Sequence, residues 1–138
     1  MRRLLLALAL VTVAAVLFVG TIFLVSEMGA EVVTLRTTGG DGATVETRLW
    51  IVEDEGFAWL RSGVPTASWL GRIEAHPEVE VERGGAWRRY RAVPVRDPAT
   101  RDRLHARIAE KYGAADRFVS MLRDGTQSVM IRLEPLEP

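Results

Sequence analysis

The chain has 138 residues, 48% of them hydrophobic and 26% charged, with a formal net charge of zero. Such a composition excludes a disordered segment and argues against a nucleic-acid binder, which carries a basic surplus. With no cysteine, disulfide frameworks, Cys-zinc centres and thiol catalysis are excluded as well.

The N-terminus reads first as a membrane segment. Leu4 to Val25 is a run of 22 residues without a charge. As a helix it would be about 33 Å long at about 1.5 Å per residue, enough to cross a hydrocarbon core of about 30 Å. A cleaved signal has a shorter apolar core and small residues at its cleavage site, whereas Met28-Gly29-Ala30 is a poor site. No polar stripe marks the run as a core helix. The expected organisation is a retained transmembrane anchor over 1–27 and one domain over 31–138. Arg2 and Arg3 precede the run, and no basic residue follows until Arg36. The positive-inside rule therefore predicts a single-pass protein of the cell membrane with its domain on the extracytoplasmic side. Without Arg2 and Arg3 the chain carries 16 basic and 18 acidic side chains. That surface has no general attraction to anionic lipid, so the anchor holds the protein at the membrane.

Beyond the anchor, Glu31 to Thr37 is rich in β-branched residues and predicts a strand. Gly39-Gly40-Asp41-Gly42 breaks it. Thr44 to Glu53 predicts a longer strand with Val45, Thr47, Leu49 and Ile51 on one side. Asp54-Glu55-Gly56 turns into a third strand, Phe57 to Ser62. Thr66 to Ala75 suits a short helix with Trp69 and Ile73 on one face, stopped by His76-Pro77. Glu78 to Arg83 and Ala86 to Val95 form a hairpin around Gly84-Gly85. Asp97-Pro98 opens a helix as N-cap and first residue. Its core face is Leu104, Ile108 and Tyr112, and Gly113 is its C-cap. A second short helix is expected over Ala115 to Leu122, and Ser128 to Glu134 closes the chain as a strand.

Six strands joined by hairpins do not suit a doubly wound sheet. They predict a mainly β (α+β) fold, a small six-stranded barrel with short helices. The Gly-Gly turn fixes the hairpin register, pairing Glu82 with Trp87, Val81 with Arg88, Glu80 with Arg89, Val79 with Tyr90 and Glu78 with Arg91. Opposite charges then face each other on one side, each pair worth about 0.2–1 kcal/mol. The same register turns Arg88 toward the apolar side, where it needs a carboxylate or an anionic ligand.

Thr37-Thr38-Gly39, the following turn and strand, and then Pro65, Trp69, Ile73, Ala75 and Pro77 resemble the deazaflavin-dependent nitroreductase family. That family belongs to the split β-barrel, flavin-binding class related to pyridoxamine phosphate oxidases. The resemblance covers about Glu31 to Val95. It implies a split barrel that binds a deazaflavin coenzyme or FMN, often as a homodimer. It also implies cofactor contacts from Thr37, Thr38 and Trp69. Arg72, a further candidate cofactor contact, stands where the family usually has Asn, and His76 replaces the Asn before the final Pro. Family members carry basic residues after Thr-Thr-Gly, where this chain has Gly40 and Asp41. Another flavin-like molecule, haem, or a barrel with no cofactor therefore stay open as alternatives.

In such proteins the cofactor carries the hard step and the protein binds and orients it. The residues to look for are an anion clamp and a flat apolar slot. The best clamp is the crossover from Arg61 and Ser62 to the helix near Thr66, where free N–H groups, hydroxyls and a guanidinium converge. Arg48 on the neighbouring strand could add to it. Trp50, Trp59, Trp69 and Trp87 are candidates for the slot, against the ordinary alternative of core packing. His76 and His105 are isolated and predict no metal site, and no residue is nominated as catalytic. The expected function is hydride transfer from a reduced flavin or deazaflavin to a quinone or nitro acceptor, with no nucleic-acid partner. The alternatives are a non-catalytic, membrane-tethered barrel that binds a ligand or partner protein, and a cleaved periplasmic barrel.

Overall fold

The computed structural model describes residues 1–29 and 31–136, and of residues 22–29 the backbone alone. The chain divides into two compact units, Met1–Ala30 and Glu31–Pro138. The first is helix α1, Arg2–Gly29. Its first 20 residues, Arg2–Thr21, contain an 18-residue stretch with a mean hydropathy of 2.7, of which no residue is buried. Thr12 and Thr21 donate their hydroxyls to the carbonyls of Leu8 (2.9 Å) and Leu17 (2.7 Å), so their polar groups are satisfied inside the helix. The expected apolar run to Val25 and the rejected cleavage site extend beyond the residues whose side chains are described.

The second unit is a closed antiparallel barrel. Its strands are β1 (Val32–Thr38), β2 (Thr44–Asp54), β3 (Phe57–Ser62), β4 (Glu78–Arg83), β5 (Ala86–Val95) and β6 (Val129–Pro135). They neighbour one another in the order β1-β2-β3-β6-β5-β4, and β4 closes back on β1. The predicted hairpin register between β4 and β5 is found pair for pair, from Glu78↔Arg91 to Arg83↔Ala86. Gly84 (φ 58°) and Gly85 (φ 83°) both sit in the left-handed region, which a two-residue hairpin of this hand requires and only glycine adopts freely.

Period-two alternation sends one face of each strand inward. Val33, Leu35, Ile51, Leu60, Val79, Val81, Ala92, Ile131 and Leu133 form one core, joined by Trp69, Leu70 and Ile73 of helix α2, Ser68–Ala75. The outer face of β2, β3 and β6 buries a second layer. Val52, Trp59 and Met130 of the strands and Leu104, Ile108 and Tyr112 are all below a tenth exposed; the last three lie on helix α3, Pro98–Tyr112. Asp97 caps α3 by accepting from the Thr100 amide, and Gly113 (φ 53°) ends it. Helix α4, Ala114–Met121, follows at once.

Three expectations are corrected in detail. The helix placed from Thr66 begins at Ser68, because Val64 to Ala67 is spent on a turn in which the Val64 carbonyl accepts from Ser62 Oγ (2.6 Å) and from the Ala67 amide. The helix placed over Ala115 to Leu122 starts one residue sooner, since Gly113 serves as both the end of α3 and the N-cap of α4. Arg88 shares a face with Val81 and Tyr90 but is exposed. The reason is that β5 pairs with β6 only from Tyr90 onward, so the hairpin end projects past the barrel and its inner face opens to solvent.

Candidate functional site

Strands β1 and β4 pair over only three positions, Thr34↔Glu82 to Arg36↔Glu80. Beyond Arg36 they part, and Thr37 and Thr38 of the motif stand at this split. A groove of about 350 Å³ lies there, lined by Arg36, Thr37, Thr38, Thr44, Glu78 and Val79 among others. The alternation of β1 points Thr37 inward, where it is 1% exposed. Its hydroxyl donates to the Val45 carbonyl (3.3 Å) and accepts from Arg72 Nε (2.8 Å). Helix α2 thus aims Arg72 at the end of β1. Only Nε of that guanidinium is used. Among the described residues no carboxylate pairs with Arg72, so its two terminal nitrogens keep their donors. On the groove wall Arg36 is held by Glu46 (3.0 Å) and Glu80 (3.4 Å) and lies 3.8 Å over the Trp87 ring, which occupies that indole with a cation–π contact.

The other nominated residues lie elsewhere. Arg61, on the outer face of β3, pairs with Asp116 of α4, Nη2 to Oδ1 at 2.8 Å, with side chains only 12% and 8% exposed. Its Nη1 meets His105 Nδ1 at 3.1 Å. Ser62 is buried and its hydroxyl is taken by the Val64 carbonyl, while Thr66 is exposed in the turn before α2. Trp50 lies flat on Tyr112, ring centroids 4.4 Å apart and 6° from parallel. Arg48 is exposed on the same face of β2, opposite Thr34. Trp69 is buried in the barrel core. The structure therefore brings Arg72 onto Thr37, and Thr37 and Thr38 onto the wall of the groove. It leaves Arg61 and Trp50 under the helices α3 and α4.

Asp116, His105 and Tyr112 were not foreseen as partners of these residues. Only Tyr112 carried a signal, its place on the core face of α3; Asp116 reads in sequence as one acid in a mixed helix. A second polar cluster ties the start of the barrel down. Glu31 bonds Arg83 (2.7 Å) and Lys111 (2.5 Å), and the Arg83 guanidinium is chiefly what holds its carboxyl down to about 2 against the opposing effect of burial. On the outer face Asp54 is 3% exposed at its side chain and bonds Arg103 (2.8 Å) and Arg107 (3.1 Å) of α3. Burial would raise its pKa, but the two guanidiniums outweigh that and lower it.

A planar cofactor with an anionic tail needs unspent donors beside an opening. Arg72 keeps such donors on its terminal nitrogens and contacts Thr37, which with Thr38 lines the groove; Arg72 itself is not part of that lining. Arg61 does not meet that need, because Asp116 already neutralises it. The turn after Thr38 adds no cation: Asp41 Oδ1 accepts from the Ala43 amide at 3.0 Å, a local turn contact. Among the described residues no cluster of three or more His, Asp or Glu could hold a metal ion.

Comparison with solved structures shows the same fold. A conserved hypothetical protein from Mycobacterium tuberculosis is 20% identical with a TM-score of 0.65, covering 78% of this chain and 74% of its own. The heme storage protein HutZ from Vibrio cholerae is 16% identical with a TM-score of 0.61, covering 86% and 90%. A nimC/nimA family protein from Clostridium acetobutylicum is 13% identical with a TM-score of 0.57, covering 77% and 75%. No curated protein matches the chain. The family model that matches is described as F420H(2)-dependent quinone reductase and spans residues 11–130, most of both the apolar helix and the barrel, and the chain belongs to that family of deazaflavin-dependent oxidoreductases.

Proposed function

We propose that this protein is a membrane-anchored oxidoreductase that uses a reduced deazaflavin to reduce a quinone. The observation that carries the reading is the Arg72 Nε contact to the Thr37 hydroxyl at the end of β1, which leaves the two terminal guanidinium nitrogens without a partner among the described residues. Arg72 and Thr38 would hold the cofactor's anionic tail, and a guanidinium can do so in bidentate fashion. When bound, the deazaflavin supplies the hydride; the chain supplies position and shelter. Arg61 and Trp50 serve that function indirectly, by fixing α3 and α4 over the outer face of the sheet. Helix α1, if it spans the bilayer, keeps the domain beside a lipid-soluble acceptor such as a quinone. The flanking arginines Arg2 and Arg3 favour an extracytoplasmic domain.

Two observations favour a second reading, a tethered barrel without redox activity. The expected clamp residues Arg61 and Ser62 are spent internally, and Gly40 and Asp41 offer no cation at the turn.

The test is titration of the full chain in detergent with deazaflavin, FMN and haem, followed by absorbance and fluorescence. Saturable micromolar binding of the deazaflavin is expected, together with turnover of a short-chain quinone. Arg72→Ala should weaken binding about tenfold, equivalent to about 1.4 kcal/mol. Binding of FMN or haem alone would reject the deazaflavin, and no binding at all would leave the tethered barrel in place.

A further inference from the structure

The barrel closes, yet half of one strand keeps an open edge. Strand β2 lies against β1 from Thr44 to Trp50. Its pairing with β3 covers only Ile51 to Asp54. Among the described residues, the other edge of β2 from Thr44 to Arg48 therefore has no strand beside it. Thr44, Val45, Glu46 and Arg48 are exposed. The Gly39 amide donates to the Ala43 carbonyl at 2.7 Å, which sets the parity of the β1–β2 ladder. The backbone groups of Val45 and Thr47 turn toward β1, and those of Glu46 and Arg48 turn away from it. Such an edge is a template for another strand. No Pro, Gly or Lys stands between Thr44 and Trp50 to blunt it, and the register with β1 runs without a bulge.

The charges on this edge say which strand fits it. Glu46 and Arg48 share the outer face of β2. Glu46 is held by Arg36 at 3.0 Å, and Arg48 has no partner among the described residues. An antiparallel mate must set its own outward-turned residues against Thr44, Glu46 and Arg48. When the mate is the same strand of a second copy, the choice of register is narrow. Setting Glu46 against Glu46, or Arg48 against Arg48, brings like charges together, which is destabilising. The register between those two puts Thr47 on the two-fold axis. It sets Glu46 of each copy against Arg48 of the other, and Val45 against Leu49 on the inner face. Charged edge residues resist pairing with unrelated strands. Here they have opposite sign and the spacing that a two-fold axis exchanges.

We propose that two copies of this protein join through the Thr44–Arg48 edge of β2, antiparallel and centred on Thr47. Strands β1 and β2 of both copies then run as one continuous sheet. The joint is isologous, so it closes at two copies and leaves no edge of β2 for a third. It gives Arg48, first nominated for an anion clamp, a carboxylate to pair with. The inference does not depend on the deazaflavin reading.

The natural absence of cysteine allows a clean test of the register, in the full chain in detergent. Thr47→Cys, Val45→Cys and Leu49→Cys are made singly and oxidised with copper phenanthroline. Facing residues of a non-hydrogen-bonded antiparallel pair lie about 4.5 Å apart at Cα, within reach of a disulfide. Thr47→Cys should crosslink to a dimer by itself. Val45→Cys should do so only when mixed with Leu49→Cys. Sedimentation measures the dimer without a crosslink. Arg48→Glu and Glu46→Arg, each of which sets like charges opposite, should each weaken it about tenfold, equivalent to about 1.4 kcal/mol. An equal mixture of the two variants should recover it, because Glu and Arg again face each other at both pairs. Glu46→Arg also releases Arg36, and recovery in the mixture separates that effect from the joint. A natural protein that sediments as a monomer would overturn the inference. A dimer of unchanged strength in both charge variants would overturn it too, since α1 or another face would then hold the copies together. Crosslinking of Val45→Cys by itself would place the axis elsewhere and count equally against it.

Discussion

Arg61 and Asp116 lie 55 positions apart in sequence and meet at 2.8 Å, and this contact fastens α4 to the barrel wall. His105 completes it. Its Nε2 lies 3.0 Å from the Gly125 carbonyl, so it carries the proton there and leaves Nδ1 to accept from Arg61. One guanidinium thus links β3, α3 and α4, and through His105 the loop before β6. A residue first read as a clamp for a ligand is instead paired within the protein.

Removal of one member of that pair should be costly. Asp116→Ala leaves a guanidinium that is 12% exposed without its counter-charge, and a loss of about 3–5 kcal/mol in unfolding free energy is expected. The double variant Arg61→Met, Asp116→Leu should lose less than Asp116→Ala, because no charge is stranded. Urea titrations in detergent measure both. A double variant as unstable as the single one would mean that the pair's value is its geometry rather than its charge balance.

Tyr112 joins three backbone groups. Its hydroxyl accepts from the Ile51 amide (3.1 Å) and faces the carbonyls of Ile51 and Glu31, both at 2.7 Å, while its ring lies on Trp50. Tyr112→Phe keeps the stacking and strands buried polar groups, for an expected loss of about 1–3 kcal/mol. Tyr112→Ala also empties the ring site and should cost about 3–5 kcal/mol. Trp50 fluorescence separates them: a shift comparable to that of Tyr112→Ala would show that Tyr112→Phe had lost the ring contact too.

Thr37→Val removes the acceptor of Arg72 Nε while keeping the side-chain shape. The barrel should remain folded, with a stability loss of about 1 kcal/mol. Under the proposed site, deazaflavin affinity should fall, though less than in Arg72→Ala, because the cation stays and only its aim is lost. Equal losses in both variants would show that position matters more than charge. No loss in either would remove the β1–β4 split as the site.

The strands were legible in sequence because their signals are local. Alternation in Thr44 to Glu53 gave its inner face, and Gly84-Gly85 fixed a register that holds at every pair. Thr37 stands in the motif that carries the resemblance, while Arg72 departs from it, and their contact spans 35 positions, so no local signal announces it. Arg61 was misjudged for the same reason. A strand arginine before a helix looks available until the tertiary fold brings an acid to it, and Asp116 lies on a helix whose docking face cannot be read from eight residues. Arg88 shows the complementary limit: its face was read correctly, but exposure depends on where the neighbouring strand stops.

Glu31 gives the last prediction, a dependence on pH. Its carboxyl is held at about 2 in the folded protein against an ordinary 4.5, the Arg83 hydrogen bond being the largest cause. A carboxylate with a depressed folded pKa binds fewer protons folded than unfolded near these values, so stability rises with pH there. The contribution is complete above about 4.5 and is lost as the pH falls toward about 2. With Glu31 about one-third exposed, solvent screening keeps the effect modest. Thermal unfolding of the natural protein and Glu31→Gln should show a gap at neutral pH that closes across that window. A gap that persists down to pH about 2 would show that Glu31 acts through shape or backbone contacts and not through its charge.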